Sequence, residues 1–245
     1  MKDLSLLSAR ERERIRCVIS DVDDTITTGG ELHPAALDAM YRLKASGRSL
    51  VLLTGGSAGW ADIYARQWPV DLVIAESGAL CIRKREKGGT EYAFHPDTEN
   101  KENRKKRQQL LDKIDPSFLS SDQYCRIWDI AVDLAVTEES VTERIKMEAE
   151  RMGAVTSRSS IHLNIWFGSY TKLTGLQHFY PECSSASCAY IGDSLGDQLL
   201  FGSFPLSFGV NAVKRNQAAF AWLPGYVSCR DGGEGFCEII DKIIG

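Results

Sequence analysis

Short, continuous apolar runs alternate with helical patterns in the first third of the chain. The apolar runs are IRCVIS (15–20), SLVLLT (49–54) and DLVIAE (71–76). Between them, residues 34–46 and 57–68 carry apolar side chains at helical spacing. Strands that are apolar on both faces and are joined by helices are typical of a parallel sheet covered on both sides. This rhythm therefore predicts an α/β fold.

The same rhythm returns in the last third of the chain. Residues 171–180 have a helical pattern, and CAYIGD (188–193) reads as a compact apolar strand. Residues 196–202 again favour a helix, and PLSFGV (205–210) follows. Residues 234–244 form an amphipathic pattern that predicts a closing helix. The two ends of the chain are therefore expected to complete one sheet.

The middle of the chain has a different pattern. Residues 79–96 predict a hairpin around a pair of glycines, and residues 99–114 predict a charged helix. RIWDIAVDLAV (126–136) and IHLNIWF (161–167) alternate between apolar and polar positions, with a helical pattern at 138–152 between them. Alternation of this kind is typical of an antiparallel sheet with one open face.

These patterns divide the chain into a core in two parts and an insertion. The 245 residues suffice for one domain with a sizeable insertion. We expect residues 1–78 and 170–245 to form the core and residues 79–169 to form an inserted α+β cap domain. The predicted architecture is an α/β, Rossmann-like doubly wound parallel sheet that carries this cap.

Composition narrows the classes of protein to consider. A hydrophobic fraction of 43% and a charged fraction of 25% are ordinary for a globular domain, and a net charge of −4 argues against a general nucleic-acid binder. No apolar run reaches the length of a membrane span, and the N-terminus has no signal-like apolar segment. The seven cysteines contain no CxxC pair. We therefore expect free thiols in a cytoplasmic protein.

Acidic side chains follow two of the predicted strands where these end. Asp21 and Asp23 come after the first strand, and Asp193 and Asp197 follow CAYIG. Ligands of open α/β sheets bind beyond the carboxyl ends of the strands, where residues i and i+2 point the same way. Carboxylates gathered there repel each other unless a cation is present, and Mg²⁺ is the hard ion that carboxylates and phosphate oxygens bind. The sequence therefore predicts a magnesium site formed by these four carboxylates.

Two further residues lie at corresponding places in the pattern. Thr54 ends the second strand and leads into Gly55, and Lys172 begins the helix before CAYIG. Taken singly, the threonine is a helix-cap signal and the lysine a solvated surface group. Because one follows a predicted strand and the other begins the helix that precedes a strand, both are expected at the edge of the sheet where the carboxylates lie, and this favours a common site.

The order of these motifs resembles that of a known superfamily. DVDDT (21–25), LLTG (52–55), Lys172 and GDSLGD (192–197) are similar to the motifs of the haloacid dehalogenase (HAD) superfamily of phosphohydrolases. The place of the insertion resembles that of its C2-capped branch, which includes Cof-like and sucrose-phosphate phosphatases. ESGA (76–79) is similar to the Glu-Asn-Gly-Ala hinge into the cap of that branch.

The resemblance implies a role for each matched residue. Asp21 would attack the phosphorus and form an aspartyl-phosphate, which is covalent catalysis by a carboxylate. Asp23 would protonate the leaving oxygen and then activate water. Thr54 and the backbone of Gly55 would bind phosphate oxygens. Lys172 would neutralise charge on Asp21 and on the phosphoryl group.

The remaining carboxylates are implied to act around the metal. Asp193 would bind Mg²⁺ together with Asp21 and the carbonyl of Asp23. Asp197 would act through a water molecule or by orienting Lys172. The implied function is a magnesium-dependent phosphatase that acts on a small phosphorylated metabolite, either a sugar phosphate or a phospho-acid.

Two other functions use the same kind of residues. A phosphomutase of this fold would return the phosphoryl group to an acceptor sugar rather than to water. A phospho-aspartate signalling module would keep the adduct, although receiver domains need only about half of this length.

Substrate contacts are expected on the face of the cap that closes over the site. His162 and Asn164 share one side of the predicted strand 161–167, and with Arg126 they are candidates for these contacts. An exposed sheet face without a function is the alternative. Residues 83–113 contain ten Lys or Arg and six Asp or Glu. This excess predicts either a basic lid for a second anionic group or a solvated helix face.

Overall fold

The computed structural model describes residues 1–85 and 87–245, and these residues form a large sheet and a small sheet with helices packed on both. The strands are β1 (Lys2–Asp3), β2 (Cys17–Ser20), β3 (Ser49–Leu53), β4 (Leu72–Ala75), β5 (Leu80–Lys84), β6 (Thr90–Phe94), β7 (Asp129–Asp133), β8 (Val155–Arg158), β9 (His162–Trp166), β10 (Cys188–Gly192), β11 (Ser207–Gly209) and β12 (Tyr226–Val227). The helices are α1 (Ala9–Arg14), α2 (Pro34–Ala45), α3 (Ala58–Gln67), α4 (Lys101–Leu111), α5 (Glu139–Arg151), α6 (Lys172–Phe179), α7 (Gln198–Ser203), α8 (Ala212–Arg215) and α9 (Gly232–Ile244). Across these two ranges, no helix combines the length and the apolar character that crossing a bilayer requires.

The large sheet is the predicted doubly wound α/β core. Its strand order is β1-β12-β11-β10-β2-β3-β4-β5-β6, and the strands from β1 to β4 in this order run parallel. Successive residues of β2 point to opposite faces, so Val18 packs with α2 and α9 while Ile19 packs with α6 and α7. Both faces of the central strands are therefore buried, and this explains their continuous apolar sequences.

A tight turn after β4 changes the predicted domain boundary. Glu76, Ser77 and Gly78 have φ angles of 47°, 57° and 106°, so the chain reverses directly after β4. The next strand, β5, then pairs antiparallel with β4, and β6 pairs with β5. The predicted hairpin is present, but it extends the large sheet, and its assignment to the cap is wrong. The division of the other residues into core and cap stays a prediction.

The small sheet is antiparallel, as its alternating sequence predicts. Its order is β7-β9-β8, and α4 and α5 cover one face; we call this unit the cap. Leu163 and Ile165 of β9 pack into the apolar cluster under these helices, whereas His162 and Asn164 face the core. The predicted strand 126–136 is shorter in the structure, because the backbone before β7 binds a side chain of the core instead of a neighbouring strand.

A substitution at Gly78 tests how closely the turn packs on α6. A Cβ atom at this position would lie 2.4 Å from the carbonyl oxygen of Thr171, in addition to the strain of a φ of 106°. Gly153 also has a positive φ of 87°, but a Cβ there meets nothing within 4 Å. We expect Gly153→Ala to lower the free energy of unfolding by about 1–2 kcal/mol through backbone strain alone. Gly78→Ala should cost about 1–3 kcal/mol more through overpacking.

Urea denaturation of the two variants beside the unmodified protein measures both losses. Equal losses would show that the turn does not pack tightly on α6.

Candidate active site

Neighbouring parallel strands bring Asp21 and Asp193 to one edge of the core sheet. Ser20 of β2 lies beside Ile191 of β10, so the residues that follow both strands leave the sheet at the same level. The amide of Asp21 donates to the carbonyl of Ile191 at 2.9 Å and fixes this register. Carboxylate oxygens of Asp21, Asp193 and Asp197 lie within 4.8 Å of one another, and all three residues are buried. Three of the four predicted carboxylates therefore lie together, and Asp23 is not part of this group.

Lys172 bridges two of these carboxylates. Its Nζ atom lies 2.8 Å from Oδ1 of Asp21 and 2.8 Å from Oδ1 of Asp197. Thr171 caps α6 and exchanges hydrogen bonds with Thr174, which fixes Lys172 in the first turn of the helix. Burial favours the neutral amine, but the two carboxylates outweigh burial and raise the pKa of Lys172. The side chain therefore stays a buried cation.

The carboxylate of Asp197 is fully occupied by donors from the protein. Its Oδ1 atom accepts from Lys172 and from the Tyr190 hydroxyl at 2.6 Å. Its Oδ2 atom accepts from the amides of Asp193 and Ser194, each at 3.1 Å. Burial opposes ionisation, but Lys172 and these hydrogen bonds lower the pKa of Asp197. This arrangement supports the orienting role for Asp197 rather than direct metal ligation.

The surroundings of Asp21 and Asp193 disfavour the ionised form of both carboxylates. Burial raises the pKa of Asp21 to about 7 against the opposing effect of Lys172. Burial, together with repulsion by Asp197 and Asp21, raises the pKa of Asp193 well above its ordinary value. A divalent cation between them would remove this repulsion, and two carboxylates are the donor set that Mg²⁺ accepts alongside water and phosphate. These residues therefore fit the implied ion.

Asp23 lies in the same crevice but in a different environment. It follows Asp21 by two residues and lines the crevice together with Lys172. Its side chain makes no hydrogen bond with the part of the chain that the structure describes, and burial raises its pKa. The next residue, Asp24, has a φ of 53° and its Oδ1 accepts from the amide of Gly29, which turns the chain away from the site. Asp23 is thus a partly buried carboxyl group whose neutral form is favoured.

The loop after β3 is bound by the cap. Thr54 is buried and its Oγ1 atom accepts from the amide of Gly56 at 2.8 Å. The carbonyl of Gly55 accepts from Nδ2 of Asn164 at 2.8 Å and from Nη1 of Arg126 at 2.9 Å. Two of the cap residues that the sequence singles out therefore contact the backbone of the predicted phosphate-binding loop.

Arg126 is also paired with carboxylates of the cap itself. Its Nη1 atom lies 3.0 Å from both oxygens of Asp129, and its Nε atom lies 3.2 Å from Oδ1 of Asp122. The side chain is fully buried. These bonds use the guanidinium group for the contact between cap and core, and they leave it unsuited to bind a substrate anion.

Glu76 connects core and cap through backbone amides, a role that its place in the sequence does not reveal. Its carboxylate accepts from the amides of Ala58, Ile127, Trp128 and Asp129 at 2.6–3.1 Å. One side chain at the end of β4 therefore fixes both the start of α3 and the segment that enters β7. The only signal in the sequence is an acidic residue directly after an apolar strand, which by itself also fits an ordinary turn.

The structure has a closed crevice. The space lined by Asp21, Asp23, Asn164, His162 and Lys172 measures about 20 Å³, which holds one water molecule at most. Burial lowers the pKa of His162 to about 4, so the imidazole is neutral near pH 7. The crevice in this arrangement of cap and core is therefore too small for a phosphorylated substrate.

Comparisons with known proteins identify the fold. No family model matches the chain, and no curated protein matches it significantly. A HAD-superfamily phosphatase from Bacteroides thetaiotaomicron matches with a TM-score of 0.65 and 16% identity over 98% of both chains. The fold is that of the HAD superfamily.

Two further solved structures extend this HAD likeness. The sucrose-phosphatase from Synechocystis, in complex with sucrose and phosphate, has a TM-score of 0.65 and 17% identity over 93% of this chain and 97% of its own. The C-terminal domain of the C. albicans trehalose-6-phosphate phosphatase has a TM-score of 0.70 and 10% identity over 99% and 97%. The likeness includes the cap, where the sequence carries no HAD motif. The resemblance stated from the core motifs is therefore confirmed for the fold of the whole chain.

The raised pKa values predict how Mg²⁺ changes stability with pH. Because the pKa of Asp21 is about 7 in the folded state against 3.8 ordinarily, the metal-free folded state binds this proton more tightly than the unfolded chain. The stability of the metal-free protein should fall as pH rises from about 4 to about 7. Mg²⁺ binds the ionised carboxylates, so it should raise Tm more at pH 8 than at pH 5.

Thermal unfolding at both pH values, with and without Mg²⁺, tests this expectation, and Asp193→Asn should lose most of the magnesium effect. A larger effect at pH 5, or an undiminished effect in Asp193→Asn, would contradict the assigned metal site.

Proposed function

We propose that the protein is a magnesium-dependent phosphatase that hydrolyses a small phosphorylated metabolite through an aspartyl-phosphate on Asp21. The observation that carries this proposal is the buried Lys172 ammonium, 2.8 Å from both Asp21 and Asp197, next to a second unneutralised carboxylate. Such a site attracts a cation and a phosphoryl group together. The cation offsets the negative charge of the carboxylates, and the cation and the ammonium group together offset that of the phosphoryl group.

The proposed first step is attack by Asp21 on phosphorus. Its Oδ1 atom is bound to Lys172, while its Oδ2 atom accepts no hydrogen bond from residues 1–85 and 87–245. Oδ2 forms the new bond to phosphorus as the bond between phosphorus and the leaving oxygen breaks. The amide of Gly55 makes no hydrogen bond within the same ranges, which supports its binding of a phosphate oxygen beside Thr54. Positioning and charge stabilisation supply most of the catalysis in such transfers.

Asp23 moves the protons in this scheme. Its raised pKa keeps a proton available, and the proton passes to the leaving oxygen as the alcohol departs. The Asp23 carboxylate then takes a proton from a water molecule, which attacks phosphorus and releases inorganic phosphate from Asp21. A carboxyl group without hydrogen-bond partners of its own suits both steps, because no competing donor holds its charged form.

Asp21 and Asp193 would hold Mg²⁺, which supplies positive charge to the phosphoryl oxygens when it is bound. Asp197 fixes the position of Lys172 and leaves these two carboxylates to the ion. The likeness to a phosphatase that was solved with sucrose and phosphate supports a sugar phosphate as the class of substrate.

Phosphate release from a panel of sugar phosphates and phospho-acids, with Mg²⁺ and with a chelator, tests the proposal. We expect turnover only with Mg²⁺, and Asp21→Asn should lower kcat at least 10³-fold because the nucleophile is removed. If no compound releases phosphate above the rate of Asp21→Asn, the protein is not a phosphatase of this class.

Asp23→Asn separates proton transfer from metal binding. This variant should bind Mg²⁺ with nearly unchanged affinity in calorimetry, while kcat falls about 10²–10⁴-fold because general acid and base catalysis is lost. Asp193→Asn is the matched carboxylate-to-amide control, and it should lose magnesium affinity. Full turnover by Asp23→Asn would contradict the role assigned to Asp23.

A further inference from the structure

Another cavity opens beside Asp23. It measures about 310 Å³ and lies between α3 of the core and residues 120–122 and 161–162 of the cap. Asp23 and His162 line both this cavity and the catalytic crevice, so the two spaces adjoin. We call this space the α3 cavity. Its size fits a monosaccharide-sized group attached to the phosphoryl group.

One wall of the α3 cavity is aromatic. Trp60, Tyr64 and Trp68 follow each other at intervals of four residues, so they share one face of α3 and its end. Their ring centroids are 6.1 Å apart for the first pair and 4.1 Å apart for the second. Trp60 is 50% exposed although it is large and apolar. An exposed aromatic face in a cavity offers a platform for the C–H face of a ring-shaped ligand.

Three polar atoms in and beside the cavity have no hydrogen-bond partner among the described residues. The ring of Tyr64 is buried, yet its hydroxyl makes no hydrogen bond with any residue the structure describes. Asp133 uses Oδ1 for the amide of Ala135, and Oδ2 accepts from none of the described residues. In the adjoining crevice, Oδ1 of Asn164 is buried without a donor. Oxygen atoms of this kind can accept hydrogen bonds from the hydroxyl groups of a ligand, and the buried Oδ1 atom of Asn164 gains most from such a bond.

The charge of the α3 cavity is negative. Asp23, Asp122 and Asp133 line it, and Arg126 is the single cation among its described lining residues. The guanidinium group of Arg126 is already bound to carboxylates of the cap, so it offers no net attraction to an anion. The basic segment 83–113 contributes no described residue to this cavity or to the crevice. A basic lid over a second anionic group is therefore absent from the described surface of both spaces.

We propose that the α3 cavity binds the leaving group of the substrate and selects an uncharged, hydroxyl-rich group over one that carries a second phosphate or a carboxylate. This inference rests on the proposed phosphatase function. The hydroxyl groups donate to the acceptors, and one apolar ring face packs on Trp60. A second anion meets the carboxylates of Asp122 and Asp133, while Arg126 is already bound to carboxylates, so its binding is disfavoured.

Matched pairs of substrates test the selectivity. Glucose 6-phosphate and 6-phosphogluconate differ by a carboxylate and by ring closure, whereas fructose 6-phosphate and fructose 1,6-bisphosphate differ by one phosphate alone and isolate the effect of charge. We expect kcat/KM to be at least tenfold higher for the first member of each pair. Equal or higher values for the more anionic members would overturn the inference.

Two variants locate the selectivity in the α3 cavity. Asp133→Asn should lower the ratio of kcat/KM for glucose 6-phosphate to kcat/KM for 6-phosphogluconate at least threefold, because one repelling charge is removed. The control Asp38→Asn removes a charge from the exposed surface of α2 and should leave the ratio unchanged. Trp60→Ala should raise KM for glucose 6-phosphate more than KM for acetyl phosphate, whereas Trp222→Ala, an exposed tryptophan elsewhere, should change neither. Identical ratios in Asp133→Asn and Asp38→Asn would overturn the assignment.

Calorimetry separates this inference from the proposed function. Asp21→Asn lacks the nucleophile, so its binding of glucose 6-phosphate and of 6-phosphogluconate in the presence of Mg²⁺ reports selectivity without turnover. If the unmodified protein hydrolyses nothing but Asp21→Asn prefers the neutral sugar phosphate at least tenfold, the proposed function fails and the inference stands. If Asp21→Asn binds 6-phosphogluconate as tightly, or binds neither compound, the inference fails.

Discussion

The buried ammonium of Lys172 is the contact on which the rest of the site depends. It joins Asp21 after β2 to Asp197 after β10, and it stands at the start of a third element, α6. Without it, carboxylates held within 4.8 Å of each other would repel, and removing one partner of such a buried pair costs about 3–5 kcal/mol. Thr171 and Tyr190 reinforce it by fixing the helix start and the Asp197 carboxylate. One charge thus holds three separate segments in the geometry on which the proposed phosphoryl transfer depends.

A second set of contacts couples the cap to this site. The carbonyl of Gly55, next to the predicted phosphate-binding amide, accepts from Arg126 and Asn164 of the cap, while Glu76 binds the backbone that leads into β7. The cap is therefore joined directly to the loop that would hold the phosphoryl group. The crevice between them has room for little more than a water molecule, which would exclude bulk solvent in the proposed reaction.

The sequence was sufficient to predict the residues at the strand ends but not those that act through the backbone. The carboxyl ends of parallel strands meet at one edge of the sheet, where ligands bind. This rule is sufficient to locate Asp21, Thr54 and Asp193, because each follows an apolar strand. The roles of Glu76 and Arg126 depend on amides and carbonyls from distant segments, and no spacing in the chain encodes such pairings. The hairpin after β4 was assigned to the wrong unit for a similar reason, because positive φ angles at non-glycine residues are not visible in a sequence. The sequence predicts α3 as a helix but does not predict that its aromatic face lines a cavity, because the opposite wall, the loop at 120–122, belongs to the cap.

The most direct test of the account is a crystal structure of the protein with Mg²⁺ and beryllium trifluoride, which mimics a phosphoryl group on a carboxylate. The account predicts beryllium bound to the Asp21 carboxylate, a fluorine atom within hydrogen-bond distance of Nζ of Lys172, and Mg²⁺ between Asp21 and Asp193. A structure in which Asp21 carries no beryllium, or in which the metal lies away from Asp193, would contradict it.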